Sequence, residues 1–189
     1  MDNIGFYSAM GFIPGKLTLT TTIDASYAEK PAPLFGRLSS RDKDDMLARC
    51  RDLVDSLQPG YDHSREIHLT DELSLGDTLL LFRKDTLVAF ALCHTAPLVE
   101  GRTREDLRVL KLALADLGAL DDLIRSLADL ARRSGTRRVS IRIQGEYQPV
   151  YQRLIGLRGR VRWSDLRMTL TGFAERRVET GMVLSNWEI

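Results

Sequence analysis

Few residues in this 189-residue chain combine a chemically useful type with a useful spacing. His68 and His94 can titrate near neutrality, and Glu105, Asp106 and Glu146 fall at the ends of extended segments, from which a carboxylate could reach an amine. None of the five stands in a paired motif, and a surface or strand-end role stays open for each. Cys50 and Cys93 have no companion at metal-ligand spacing, so both read as ordinary buried thiols, and neither a zinc nor an iron site is expected. The turn Ala115-Asp116-Leu117-Gly118-Ala119 opens a helix at Leu120-Asp121-Asp122. Free amides at such a helix start can hold an anion without help from a particular side chain. Three aspartates bring negative charge to the same place, where acidic residues are also ordinary helix stabilisers.

The elements that must position these residues follow from hydrophobic periodicity. Residues 5–23 predict a short helix end, a turn at Gly11-Phe12-Ile13-Pro14-Gly15 and a threonine-rich strand over 17–23, which needs a partner strand from its own sheet or from another subunit. Residues 24–33, with Pro31 and Pro33, read as a linker. A short strand at 34–38 precedes Ser39, an N-cap, and a helix whose apolar face is Met46, Leu47, Cys50, Leu53, Val54 and Leu57, stopped by Pro59-Gly60. A weaker helix over 63–73 follows. Residues 78–83 and 86–94 form a hairpin about Lys84-Asp85, and 107–115 is the next strand after a long connection. Leu120, Leu123, Ile124, Leu127, Leu130 and Ala131 repeat with helical period, with Asp121, Asp122 and Asp129 facing elsewhere. A strand at 139–143, a helix at 147–154, a strand at 159–170 and a last strand within 181–189 complete the order. A hairpin followed by strand, helix, strand predicts a mixed sheet with helices on both faces, an α/β fold.

That order over 34–175, with Leu38-Ser39-Ser40-Arg41-Asp42 opening the first helix, resembles the GCN5-related N-acetyltransferase (GNAT) family. Gly5-Phe6-Tyr7-Ser8-Ala9-Met10-Gly11-Phe12 is similar to the signature of that family's last helix, and Val150-Tyr151-Gln152-Arg153-Leu154-Ile155-Gly156-Leu157 is a diverged second version, with one residue inserted. Two such endings suggest that 1–23 is the C-terminal remnant of a preceding GNAT-like domain, 24–33 a linker, 34–175 a GNAT-like domain and 176–189 a strand or tail. A decorative helix and strand of a single domain is the alternative. The resemblance implies an acyl-CoA, such as acetyl-CoA, lying between the two central parallel strands, against Leu112, Ala113, Leu114 and Ala115, with its pyrophosphate on the amides of Gly118 and Ala119. The family's spaced glycines are reduced here to those last two residues. It also implies Tyr151 as the acid that returns a proton to the leaving thiolate, a role a phenol can fill.

Composition sets the outer limits. A hydrophobic fraction of 43% and a charged fraction of 28% fit a folded domain, and no apolar run approaches the roughly 18–20 residues that cross a bilayer. The first residues lack a basic stretch followed by an apolar run, so the cytoplasm is the expected compartment. A net charge of +1 gives no long-range attraction to nucleic acid, although arginines crowd residues 132–167. Two functions are carried forward. One is acyl-CoA-dependent acyl transfer to a small-molecule or peptide amine; the other is a catalytically degenerate GNAT-fold module that binds acyl-CoA or a protein partner. A homodimer through strand pairing is a further expectation.

Overall fold

The computed structural model describes residues 3–26, 30–96, 105–173 and 178–185. In chain order the elements are α1 (Ile4–Ala9), β1 (Phe12–Asp24), a 3-10 turn (Phe35–Arg37), α2 (Ser40–Leu57), α3 (Ser64–Glu72), β2 (Gly76–Arg83), β3 (Thr86–His94) and β4 (Asp106–Leu114). A second 3-10 turn (Leu117–Ala119), α4 (Leu120–Arg133), β5 (Arg138–Gln144), α5 (Gln148–Gly156), β6 (Arg160–Leu170) and β7 (Met182–Ser185) follow. The strands form one mixed sheet in the order β2-β3-β4-β5-β1-β6, with β7 paired to β4. Among the described strands only β4 and β5 run parallel, and α4 makes the crossover that a parallel pair requires.

Alternation along the strands feeds two apolar layers. On one face Leu80, Phe90 and Leu92 pack with Met46, Cys50 and Val54 of α2 and Ile67 of α3. On the other, Leu79, Ala91, Leu107, Ile141 and Ile143 pack with Leu123, Ile124 and Leu127 of α4 and Val150 and Leu154 of α5. The predicted arrangement, helices on both faces of a mixed sheet, is the one observed. Ser39 caps α2 as the sequence predicts: its hydroxyl accepts the Asp42 N–H and donates to the Asp42 carboxylate. No helix among the described residues is long and apolar enough to cross a membrane.

Three local expectations are corrected. Residues 34–38 do not form a strand, because only Leu34 bridges to Leu79 before the chain turns. The Gly36 N–H donates to Asp77 Oδ1 at 2.9 Å there, a contact so close that a Cβ at Gly36 would meet the same carboxylate. Of the turn expected at 11–15 only Gly11 is in a turn, and β1 starts at Phe12 and runs through Pro14 with a register shift before Leu17. Pro14 is tolerated because β1 pairs with β5 only from Thr18 onward, which leaves the earlier half without a ladder partner on that side. Asp129 does not face solvent: it is buried beneath Arg132 and Arg133, with the Arg133 Nε at 2.6 Å. The partner that β1 needs comes from its own sheet, between β5 and β6. Part of the linker (27–29), most of the connection before β4 (97–104) and the end of the tail (186–189) lie outside the described residues.

Candidate functional site: the opening between β4 and β5

The two parallel strands pair only from Asp106 opposite Arg138 to Val109 opposite Ile141. On the other side of β4, Leu92 faces Lys111 while Cys93 faces Val109, so Leu110 is an extra residue, a β-bulge. Burial records the same slip: Leu107 and Val109 face the α4 layer, but so do Leu112 and Leu114. A bulge bends its strand and sharpens the twist. Beyond Val109, β4 therefore leaves β5 and an opening forms between them.

β7 enters that opening. It pairs antiparallel with β4, setting Leu114 opposite Met182, Ala113 opposite Val183, Leu112 opposite Leu184 and Lys111 opposite Ser185. Tyr147, buried between β5 and α5, holds the free side of β7: its hydroxyl donates to the Val183 carbonyl at 3.1 Å and accepts the Val183 N–H at 3.2 Å. The Lys111 ammonium donates to Ser185 Oγ at 2.9 Å. Gly181 starts the strand at φ +75°, and a Cβ there would lie 2.0 Å from the Leu114 carbonyl oxygen.

The turn after β4 is equally engaged. Asp116 Oδ1 accepts the Gly118 N–H at 2.9 Å, and the Asp116 carbonyl accepts the Ala119 N–H at 3.0 Å. Arg83 donates to the Gly118 carbonyl and pairs with Asp116. Arg153 reaches Asp121 from α5 at 2.6 Å, and Lys30 reaches Asp122 at 2.6 Å. The hydrogen bond from Lys30 holds the Asp122 carboxyl below its ordinary range. All three aspartates thus have cationic partners supplied by the chain itself.

Of the residues singled out by sequence, Leu112, Ala113, Leu114, Ala115, Gly118, Ala119 and Tyr151 fall on β4, the following turn and α5, around one end of the sheet. The Ala115 N–H is already bonded to Val88 of β3. Tyr151 is half-buried, its ring packed on the α4 layer. Glu146 lies in the turn just before Tyr147. The other titratable candidates lie elsewhere. Glu105 and Asp106, at the start of β4, both clasp Arg138. His68 pairs with Glu72 on the exposed side of α3. His94 ends β3, opposite the start of β4, with Nε2 2.9 Å from Thr70 Oγ1. Burial, aided by the Arg108 charge, pushes its pKa down to about 4. Cys50 is a buried thiol pushed up to about 12 by desolvation, and burial raises Cys93 as well.

One cluster escaped the sequence reading. On the α2–α3 side of β4, Glu66 Oε1 lies 3.8 Å from the Lys111 ammonium and 4.0 Å from His63 Nδ1. His63 is wedged edge-on to the rings of Tyr61 and Phe90, and neither ring nitrogen has a hydrogen-bond partner among the described residues. Burial, then the Lys111 charge, lowers its pKa. Burial also lowers Lys111, against the pull of Glu66. Two sequence signals pointed here: the three-residue step from His63 to Glu66 at a helix start, and Lys111 as the one charge in the otherwise apolar run from Val109 to Ala115. At the opposite end of the sheet a cleft of about 320 Å³ is lined by Arg37, Asp71, Asp77 and Arg133. Its carboxylates are already used, Asp77 by the Gly36 and Thr78 amides and Asp71 by Lys43.

No protein-family model matches the chain, and no curated relative does. Solved structures do match. A GCN5-related N-acetyltransferase from Anabaena variabilis superposes with a TM-score of 0.58 at 14% identity, over 89% of this chain and 43% of that one. An acetyltransferase of the GNAT family from Colwellia psychrerythraea gives 0.56 at 7% identity, over 87% and 60%. A GCN5-related N-acetyltransferase from Sphaerobacter thermophilus gives 0.53 at 13%, over 87% and 54%. The chain carries the GNAT fold. It spans less than two thirds of each of these neighbours.

In a GNAT fold the opening between β4 and β5 is where an acyl-CoA would lie. The residues present do not fit that group in the arrangement described. The β4 edge from Lys111 to Leu114 is hydrogen-bonded to β7, and Gly181 crosses directly over the Leu114 carbonyl. The Gly118 and Ala119 amides that would face a pyrophosphate are satisfied by Asp116.

Proposed function

We propose that this chain is a GNAT-fold module that does not turn over acyl-CoA. The observation that carries the reading is β7: the chain's own strand occupies the β4 edge, held by two hydrogen bonds to one tyrosine hydroxyl and by Lys111. The edge gives its backbone groups to a peptide strand, the mode by which sheets bind extended peptides. Its work is then recognition of a macromolecular partner. Titration calorimetry of the 189-residue chain with acetyl-CoA tests this. No heat and no thermal shift at millimolar ligand are expected, and saturable micromolar binding overturns the reading.

A second reading is acyl transfer from acetyl-CoA to a small-molecule or peptide amine. It is favoured by the retained bulge at Leu110 and by Tyr151 on α5, and it requires β7 to leave the opening. On that reading Tyr151→Phe slows thioester cleavage in a chain that binds acetyl-CoA, and an unchanged rate removes Tyr151 from the role. The α1–β1 segment repeats α5–β6 in element order and in its tyrosine-to-glycine pattern, which supports its descent from the end of a preceding domain.

A further inference from the structure

At the far side of the sheet β6 has one paired edge. It is bonded to β1 from Arg160 to Leu170, and among the described residues nothing pairs with its outer edge. Eleven residues of open strand edge make a template for another strand unless charge or cover blunts it. The same side of the molecule exposes large apolar side chains: Phe6 on α1, Met10 at its C-cap, Leu170 and Phe173 at the neighbouring end of β6, and Val161 and Trp163 toward the strand's other end. The α1 helix buries none of its residues, whereas α5 buries Val150 and Leu154. At about 200 Å² for a large side chain, these six expose on the order of 700 Å², close to the ~800 Å² that each partner contributes to a standard interface.

We propose that this edge is the seam of a two-fold homodimer, in which β6 pairs antiparallel with β6 of a second copy about a dyad at Leu166. The strand's own charges select that register. With Leu166 opposite itself, Asp165 of each copy, which within its own copy already pairs with Arg142 and accepts the Trp163 indole N–H, faces Arg167 of the other, and Trp163 faces Thr169. Moving the dyad one residue toward the N-terminus sets Asp165 against Asp165, and one residue the other way sets Arg167 against Arg167. A second copy cannot bind by offering its β5, because that strand is already paired on both sides, to β4 and β1. Of the sheet's two terminal strands, β2 is bridged on its outer side by Leu34 and Pro33, whereas among the described residues nothing covers the outer edge of β6. The pairing also carries the apolar α1 end of each ribbon to the Val161 end of the other copy. The inference stands apart from the proposed function, since it involves neither β7 nor the opening it fills.

Light scattering after size exclusion, from about 5 to 200 µM, reads the mass of the intact chain. A mass near twice the 21.3 kDa of one copy is expected. Trp163→Glu and Phe173→Glu, both at exposed positions, should return it to one copy with unchanged circular dichroism. Mild oxidation of Leu166→Cys should yield a covalent dimer, since directly opposed residues lie within disulfide reach. Arg162→Cys, far from its own counterpart across the dyad, should not. The native cysteines are buried and do not compete. A single-copy mass at 200 µM overturns the proposal and assigns the edge to another partner. A dimer that cross-links through residue 162 and not 166, or one that survives both glutamate variants, overturns it as well.

Discussion

The Tyr147 hydroxyl does the work of a neighbouring strand, accepting from one backbone N–H and donating to the carbonyl of the same residue. Tyr147→Phe leaves both Val183 groups buried and unpaired, at a cost of about 1–3 kcal/mol. A fall of several degrees in Tm and faster amide exchange across 182–185 are expected; unchanged exchange there contradicts the assigned clamp. A second effect at this scale is the acid response of His94. Its folded pKa of about 4 lies below the ordinary 6.5, so the unfolded chain takes the proton first as pH falls. The stabilisation is whole above about 6.5, declines below it and is gone near 4, a loss on the order of 2–3 kcal/mol. Denaturant unfolding at pH 7 and pH 5 should show the difference, and His94→Gln should flatten it. Neither role is legible from residue type. Tyr147 and Tyr151 are one helical turn apart, and only the path of β7 decides which phenol is used structurally.

Among the elements, β4 and β7 decide what the opening can hold. The bulge at Leu110 parts β4 from β5, and Gly181 lets β7 approach the end of β4 at positive φ. Gly181→Ala adds a methyl 2.0 Å from the Leu114 carbonyl and strains the backbone as well. It should dislodge β7 while the layers on either face of the sheet persist. Rapid amide exchange confined to 182–185, with near-native circular dichroism, is the expected signature; protection equal to that of the unmodified chain rules out the close approach. The sequence marked a strand in the tail but not its site, because four residues of apolar pattern fit many edges. It also read Gly-Phe-Ile-Pro-Gly as a turn, since proline is excluded from strands paired on both sides, and β1 escapes that exclusion only where β5 has ended.

For the whole molecule, the order of elements was readable because each helix and strand carries its own period, and a hairpin followed by strand, helix, strand admits few sheets. The amphipathic faces of α2 and α4 fixed which side chains enter the two layers, and the alternation in β3 fixed which layer each strand residue joins. The chain's local chemistry thus determined the mixed sheet and its covering helices. Tertiary structure alone decided that β1 lies between β5 and β6, that β7 fills the opening beside β4, and that His63 and Glu66 of the α3 start meet Lys111 of β4. Periodicity records what a residue does with its neighbours in sequence, whereas strand order and the filling of a gap depend on edges that become available only when distant segments have packed.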